Sequence, residues 1–193
     1  DFANLFNKKK KVVLSPHYDD FTLSMGGIAL EWGKKKIPME EWIIYSNSNY
    51  LVNDNGGNKD VSKGRIEAVS SIRLREEQNA TKRIGNIKIK LMNQNEALVR
   101  GHGMNEHPCG FPYGFKKEKD EEPLKNIRKL LQPLFSENVQ IFVPIAIQEH
   151  IDHFILKQAV ADMLHLNMKC QVFFYEDLPY TAYATEKEWE NAN

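Results

Sequence analysis

The sequence predicts a three-layer, Rossmann-like doubly wound α/β domain on a mainly parallel sheet. Three observations carry this. Short apolar runs alternate with amphipathic stretches along the chain. Strands separated by helices pair in parallel, because each crossover is long and right-handed. The chain has 193 residues, 41% of them hydrophobic, which is enough for one compact domain with a sizeable core.

The elements follow in order. KVVLS (11–15) is a buried strand, and LSMGGIALEWGKK (23–35) has the apolar spacing of a helix. EWIIYS (41–46) is a second strand. Residues 61–85 form a long helix ended by Gly85, a residue suited to a left-handed cap. IKIKLM (87–92) alternates like a third strand. EEPLKNIRKLLQPLF (121–135) opens with acids and Pro123, as a helical first turn does. VQIFVPIAI (139–147) is the next strand, HFILKQAVADMLHL (153–166) a helix and CQVFFYEDL (170–178) a final strand. With the common order 3-2-1-4-5, the first and fourth strands lie side by side, and ligands bind in the crevice outside their C-termini.

Composition narrows the function classes. Lys plus Arg and Asp plus Glu number 26 each, so bulk charge suggests neither a nucleic-acid surface nor an anionic-membrane surface. No apolar stretch approaches the roughly 18–20 residues of a membrane span. The apolar segment behind the N-terminal lysines is too short for a signal-peptide core. Cys109 and Cys170 are too few for a disulfide framework and read as free thiols of a reducing, cytoplasmic compartment. The chain begins at Asp1 and closes on TEKEWENAN without a strand or cap signal; a longer native chain is compatible with both ends, and a homo-oligomer with the composition.

The chemistry sits at two strand ends. The chain leaves the first strand through Pro16-His17-Tyr18-Asp19-Asp20 and the fourth through IAIQEHIDHF (145–154). Alone, the paired aspartates read as a helix N-cap and HIDH as a polar helix start. Placed together across one crevice they read as a shared metal site. Borderline divalent metals take imidazole nitrogen and carboxylate oxygen, and a catalytic site keeps three protein ligands and an open position. His17, Asp20 and His153 supply such a set, with Asp19 on a different side of the turn. The loops 46–60 and 93–121 follow strands, so both are expected to hang over the crevice. Arg73 reads either as an exposed partner of Glu76 or Glu77 or as a pocket residue. His102 and His107 read as solvated loop residues, His165 as a helix-end residue, and the lysine runs 8–11 and 34–36 as solvated faces. Phe111, Tyr113 and Phe115 suit either sugar stacking or loop anchoring, and Tyr180 a place at the same mouth.

SPHYDD followed by EHIDH resembles the LmbE/PIG-L family of metal-dependent de-N-acetylases. Arg73, Glu76, Ala80 and Ile84-Gly85 are similar to its R-x-x-E-x-x-x-A-x-x-x-L-G helix, and FFYEDLPYTAY (173–183) to its last core strand and loop. Tyr18 stands where proline is common and Phe21 where an acid is common, which bears on the substrate and not on the ligands. The resemblance implies metal ligands His17, Asp20 and His153, a general base Asp19, and a His150, oriented by Asp152, that steadies the oxyanion or protonates the leaving amine. It implies substrate contact at Arg73. The expected activity is zinc-dependent removal of acetyl from an N-acetylated sugar or glycoconjugate by a metal-bound water, with Fe2+ or Mn2+ in place of Zn2+ as variants. Two alternatives stand beside it: hydrolysis of another amide, and a non-catalytic metal- and sugar-binding module of the same fold.

Overall fold

The computed structural model of the chain describes residues 2–52, 59–85, 87–166, 168–186 and 189. The order is β1 (Lys11–Ser15), α1 (Gly26–Lys34), β2 (Met39–Ile43), α2 (Lys63–Ile84), β3 (Ile87–Leu91), α3 (Lys117–Phe135), β4 (Gln140–Pro144), α4 (Ile151–Ala161) and β5 (Gln171–Tyr175). The five strands make one parallel sheet in the order β3-β2-β1-β4-β5. The expected doubly wound architecture is therefore present, with β1 and β4 adjacent at the switch point.

Side-chain alternation along the central strands creates the layers. Val12, Leu14, Ile141 and Val143 face a core completed by Ile127, Leu131 and Leu134 of α3 and Ile155, Leu156 and Ala159 of α4. Val13 and Phe142 face the opposite way, onto Phe21, Met25, Ala29 and Trp32 around α1 and Ile84 at the end of α2. Both faces of the sheet are covered, which is why β1 and β4 read as continuous apolar runs and not as alternating ones. Gly33 lets α1 lie against the end of α2: a Cβ there would stand 2.7 Å from the carbonyl oxygen of Ile84.

Several boundaries differ from the sequence expectation, each for a local reason. The helix after β1 begins with a π-helical turn, Phe21–Met25, before α1. β2 is assigned two residues earlier, although its ladder runs on through Ile44 N–H to Ser15 O and Tyr45 N–H to Pro16 O. α3 starts at Lys117, so Pro123 lies inside it; the Asp120 carboxylate accepts the Lys116 amide at 2.7 Å and closes the first turn earlier than the acids and proline suggested. α4 begins at Ile151 and stops at Ala161. Gly85 ends α2 with φ 151°, a positive-φ cap that lies outside the left-handed helical well.

Lys11 is not on a solvated face. It is fully buried, its ammonium donating to the Asn7 carbonyl at 3.1 Å, the Asn7 side chain at 2.8 Å and the Gln140 side chain. His102 is likewise buried, between Asp120 and Glu106. Among the described residues no helix is long and apolar enough to cross a membrane, and Cys109 and Cys170 are free. Residues 53–58 of the first long loop and most of the closing segment fall outside the described residues.

Candidate functional site

The exit of β1 is a turn held by its own carboxylate. Asp20 Oδ2 accepts the His17 amide at 2.7 Å, a local closure typical of aspartate in turns. That bond leaves the same oxygen 3.5 Å from Nδ1 of His17 and 3.5 Å from Nε2 of His153. Asp19 points elsewhere. Its carboxylate is half exposed and pairs with Arg73 Nη2 at 2.9 Å. Arg73 is itself buried on α2, near Glu76 at 3.6 Å. Arg73 is therefore not the exposed helix residue of the first sequence reading, although it keeps a glutamate neighbour; it lines the pocket, as the second reading has it.

The exit of β4 is strained. Ala146 and Glu149 both have positive φ, 53° and 55°, conformations that non-glycine residues hold only where surroundings impose them. His150 caps α4, its Nδ1 accepting the Asp152 amide at 3.2 Å. One turn on, His153 Nδ1 pairs with Asp177 Oδ2 at 2.8 Å, while Asp177 Oδ1 accepts the Ala146 amide at 3.0 Å. Asp177 lies just beyond β5, and the sequence reading gave it no role. Nε2 of His153 is fully buried and has no hydrogen-bond partner among the described residues. An orphaned buried imidazole nitrogen costs free energy unless something fills the position.

His17 sits between two carboxylates. Its Nε2 pairs with Asp152 Oδ2 at 2.9 Å. Asp152 also accepts the Ala97 amide at 2.9 Å and, on its other oxygen, Arg100 Nη1 at 2.6 Å. This corrects the expectation that Asp152 orients His150. Helix geometry carries the Asp152 side chain toward His17 and the loop after β3, and His150 receives only its backbone amide. Two groups of side chains could therefore hold a metal ion: His17, Asp20 and His153, and His17, His150 and Asp152.

Electrostatics separate the histidines. Burial works against protonated His17, yet Asp152 and Asp20 outweigh it and raise its pKa well above the ordinary value. His153 is raised despite burial, by Asp20 and Asp177. Burial, reinforced by the neighbouring His153 and His17, holds His150 well below it. For Asp20, the pull of the His153 and His17 imidazoles exceeds the burial penalty, and the carboxyl stays far below the usual range.

His17, Asp19, His150 and Asp152 line a cavity of about 400 Å³, the size of a small-molecule site. Ser48, Tyr50 and Val52 of the first long loop and Glu96, Leu98, Met104 and Phe111 of the second line it, as do Leu23 and Tyr180. The described parts of both loops thus hang over the crevice. Phe111 is buried against His150, whereas Tyr113 and Phe115 are partly exposed. His107 stacks on Phe111 at 4.1 Å. Glu96, also unforeseen, is buried and accepts the Ser48 hydroxyl at 2.7 Å and the Asn49 amide.

Solved structures with this architecture include a deacetylase in complex with teicoplanin, from the teicoplanin biosynthesis pathway, at TM-score 0.67 and 16% identity over 91% of this chain and 73% of that one. A zinc-inhibited form of the teicoplanin deacetylase matches at TM-score 0.67 and 18% identity, covering 92% and 72%. N,N'-diacetylchitobiose deacetylase from Pyrococcus horikoshii matches at TM-score 0.52 and 19% identity, covering 88% and 56%. At these identities the likeness is one of fold. No curated protein sequence matches the chain. The PIG-L family, GlcNAc-PI de-N-acetylase, matches residues 12–164, a span that contains both strand-end clusters, and the chain belongs to that family.

Proposed function

We propose that this protein is a metal-dependent hydrolase that removes acetyl from the nitrogen of an N-acetylated sugar or glycoconjugate, with His17, Asp20 and His153 holding the ion. One observation carries the reading: Nε2 of His153 is buried without a hydrogen bond, beside an ionised Asp20 that also faces Nδ1 of His17. Two imidazoles and one carboxylate suit zinc, and also Fe2+ or Mn2+. Asp177 steadies His153 from its far nitrogen, and Asp152 does the same for His17, in the manner of carboxylates behind metal-bound histidines. The free thiols of Cys109 and Cys170 favour a reducing, cytoplasmic setting.

A dication held by His17, Asp20 and His153 would lower the pKa of water to about 7 and polarise the substrate carbonyl. The chain's own residues supply the rest. Asp19, accessible and steered by Arg73, accepts the proton of the attacking water and passes it to the departing nitrogen. His150 has Nδ1 occupied by the Asp152 amide, so the neutral ring carries its proton on Nε2. It donates from there to the carbonyl oxygen as that becomes anionic, an interaction worth on the order of 3 kcal/mol in comparable sites. This neutral donor takes the place of the Asp152-oriented His150 that the family resemblance implies. Water adds across the C–N bond, and the products are acetate and a free amine. Ser48, Glu96 and Arg73 offer polar contacts for sugar hydroxyls, while Leu23, Phe111 and Tyr180 offer apolar surface.

The test is incubation of the zinc-loaded protein with a panel of N-acetylated amino sugars, following free amine and acetate together. Stoichiometric appearance of both, abolished by a chelator and restored by zinc, is the expected result. Tight sugar binding without acetate would instead assign a binding module.

A further inference from the structure

The two ligand sets that share His17 have the same composition, two imidazoles and a carboxylate, and differ in what touches the carboxylate. Asp20 pairs with the two imidazoles and the His17 amide, and no lysine or arginine pairs with it among the described residues. Asp152 has Arg100 at 2.6 Å. That guanidinium is held from several sides. Its Nη1 also donates to the Asn95 carbonyl at 2.8 Å, its Nη2 lies 2.9 Å from Asp120, and it stands over the Tyr45 ring at 5.3 Å. Asp120 is fixed in turn by His102 at 3.0 Å and by the Lys116 amide at 2.7 Å. Arginine does not give up its proton in proteins, so a permanent positive charge occupies one side of Asp152.

We propose that Arg100 is an internal cation that closes a second metal site, formed by His17, His150 and Asp152, and so confines the ion to the set His17, Asp20 and His153. The proposal rests on the function given above and adds a site to it. A dication at the second set would share the Asp152 carboxylate with the guanidinium, His17 facing Oδ2 and Arg100 facing Oδ1, and the two cations would repel each other through a poorly screened interior. It would also take Nε2 of His150, the donor assigned to the oxyanion. Excluding metal there keeps His150 available for catalysis. Arg100 is thus a positioning residue acting through Asp152, and the latent site takes borderline divalent ions such as Zn2+ and Co2+.

The experiment isolates the second set by disabling the first. Binding of Zn2+ and Co2+ to the full chain is measured by equilibrium dialysis, with the Co2+ absorption spectrum reporting coordination and thermal melting reporting the fold. The native protein is expected to bind about one ion and H153A none. H153A/R100M regains about one ion with a new Co2+ spectrum, and H153A/R100M/D152N loses it again. H153A/R100K, which keeps a positive charge, binds none. If R100M leaves too much unpaired charge to fold, R100M/D120N in the H153A background removes a cation and an anion together and is expected to bind the ion. Two results overturn the inference: a folded H153A/R100M or H153A/R100M/D120N protein that binds no metal, or an H153A protein that already binds one ion with Arg100 in place. A native protein that binds no ion at all overturns the function on which the inference rests, and the two failures are distinguished by that first sample.

Discussion

The two edges of the sheet bury polar groups in opposite ways. At the N-terminal edge, Lys11 enters the interior with its ammonium matched to Asn7 and Gln140, and Gln140 in turn donates to the Asn4 carbonyl at 3.1 Å. At the C-terminal edge of the same strands, His153 keeps a bare nitrogen, Ala146 and Glu149 hold positive φ, and Asp20 and Asp152 crowd one imidazole. The first edge is arranged as structure usually is, with buried donors and acceptors satisfied. The second leaves valence and strain unspent, which is the signature of a site that does chemistry.

The strongest way to break this comparison is His153→Ala. Turnover is expected to fall by on the order of 10³-fold or more as the ion is lost, checked by metal analysis beside acetate release; a metal-loaded, active variant would erase the contrast. Asp19→Asn is the next in size. It should keep the metal and lose roughly 10²–10⁴-fold in turnover, the usual worth of a positioned general base, and equal activity would remove Asp19 from the mechanism. At the opposite edge, Lys11→Met should leave turnover per folded molecule unchanged while costing about 1–3 kcal/mol, because Gln140 and Asn7 lose their shared donor. Urea denaturation and steady-state kinetics on one preparation read both quantities.

The smallest effect concerns the sheet between the edges. Glu41 on β2 is fully buried, and neither carboxylate oxygen has a well-formed hydrogen bond among the described residues, the Ser15 and Glu77 side chains being its polar neighbours. Burial and the neighbouring Glu77 push its pKa well up, and burial raises Glu77 to about 7. The folded protein thus holds protons that the unfolded chain releases above an ordinary value of 4.5. The stability these groups contribute is complete below that value and is lost as pH rises through about 7. Glu41→Gln should flatten the fall and add about 1–2 kcal/mol at pH 8, with little change at pH 4. A parallel pair of pH–stability curves would contradict it.

Much of the site was legible because it lies close to secondary-structure ends. His17, Asp19 and Asp20 follow one apolar run and His150, Asp152 and His153 another, so an alternating strand–helix pattern was enough to bring them together. Arg100, Asp177 and Glu96 carried no such mark. Each sits in a loop or just past a strand, and its importance comes from a partner far away in the chain: Asp152, His153 and Ser48. The lysine run at 8–11 misled for the same reason, since only the pairing with Gln140 across the β1–β4 junction explains a buried Lys11. Pro123 misled locally: proline suits a first turn, yet Asp120 closes the helix start one turn earlier.

By itself the sequence determined the doubly wound architecture, the crevice between the first and fourth strands, and the donor chemistry gathered there, because hydrophobic period and strand-end position are local properties of the chain. Only the tertiary structure decided which nitrogen of each histidine faces a carboxylate, that Asp152 serves His17 and not His150, and that Arg100 stands where a second cation could have been. Those choices depend on distances of a few ångströms between segments up to 135 residues apart, and Coulomb and hydrogen-bond energies change at that scale while sequence spacing does not.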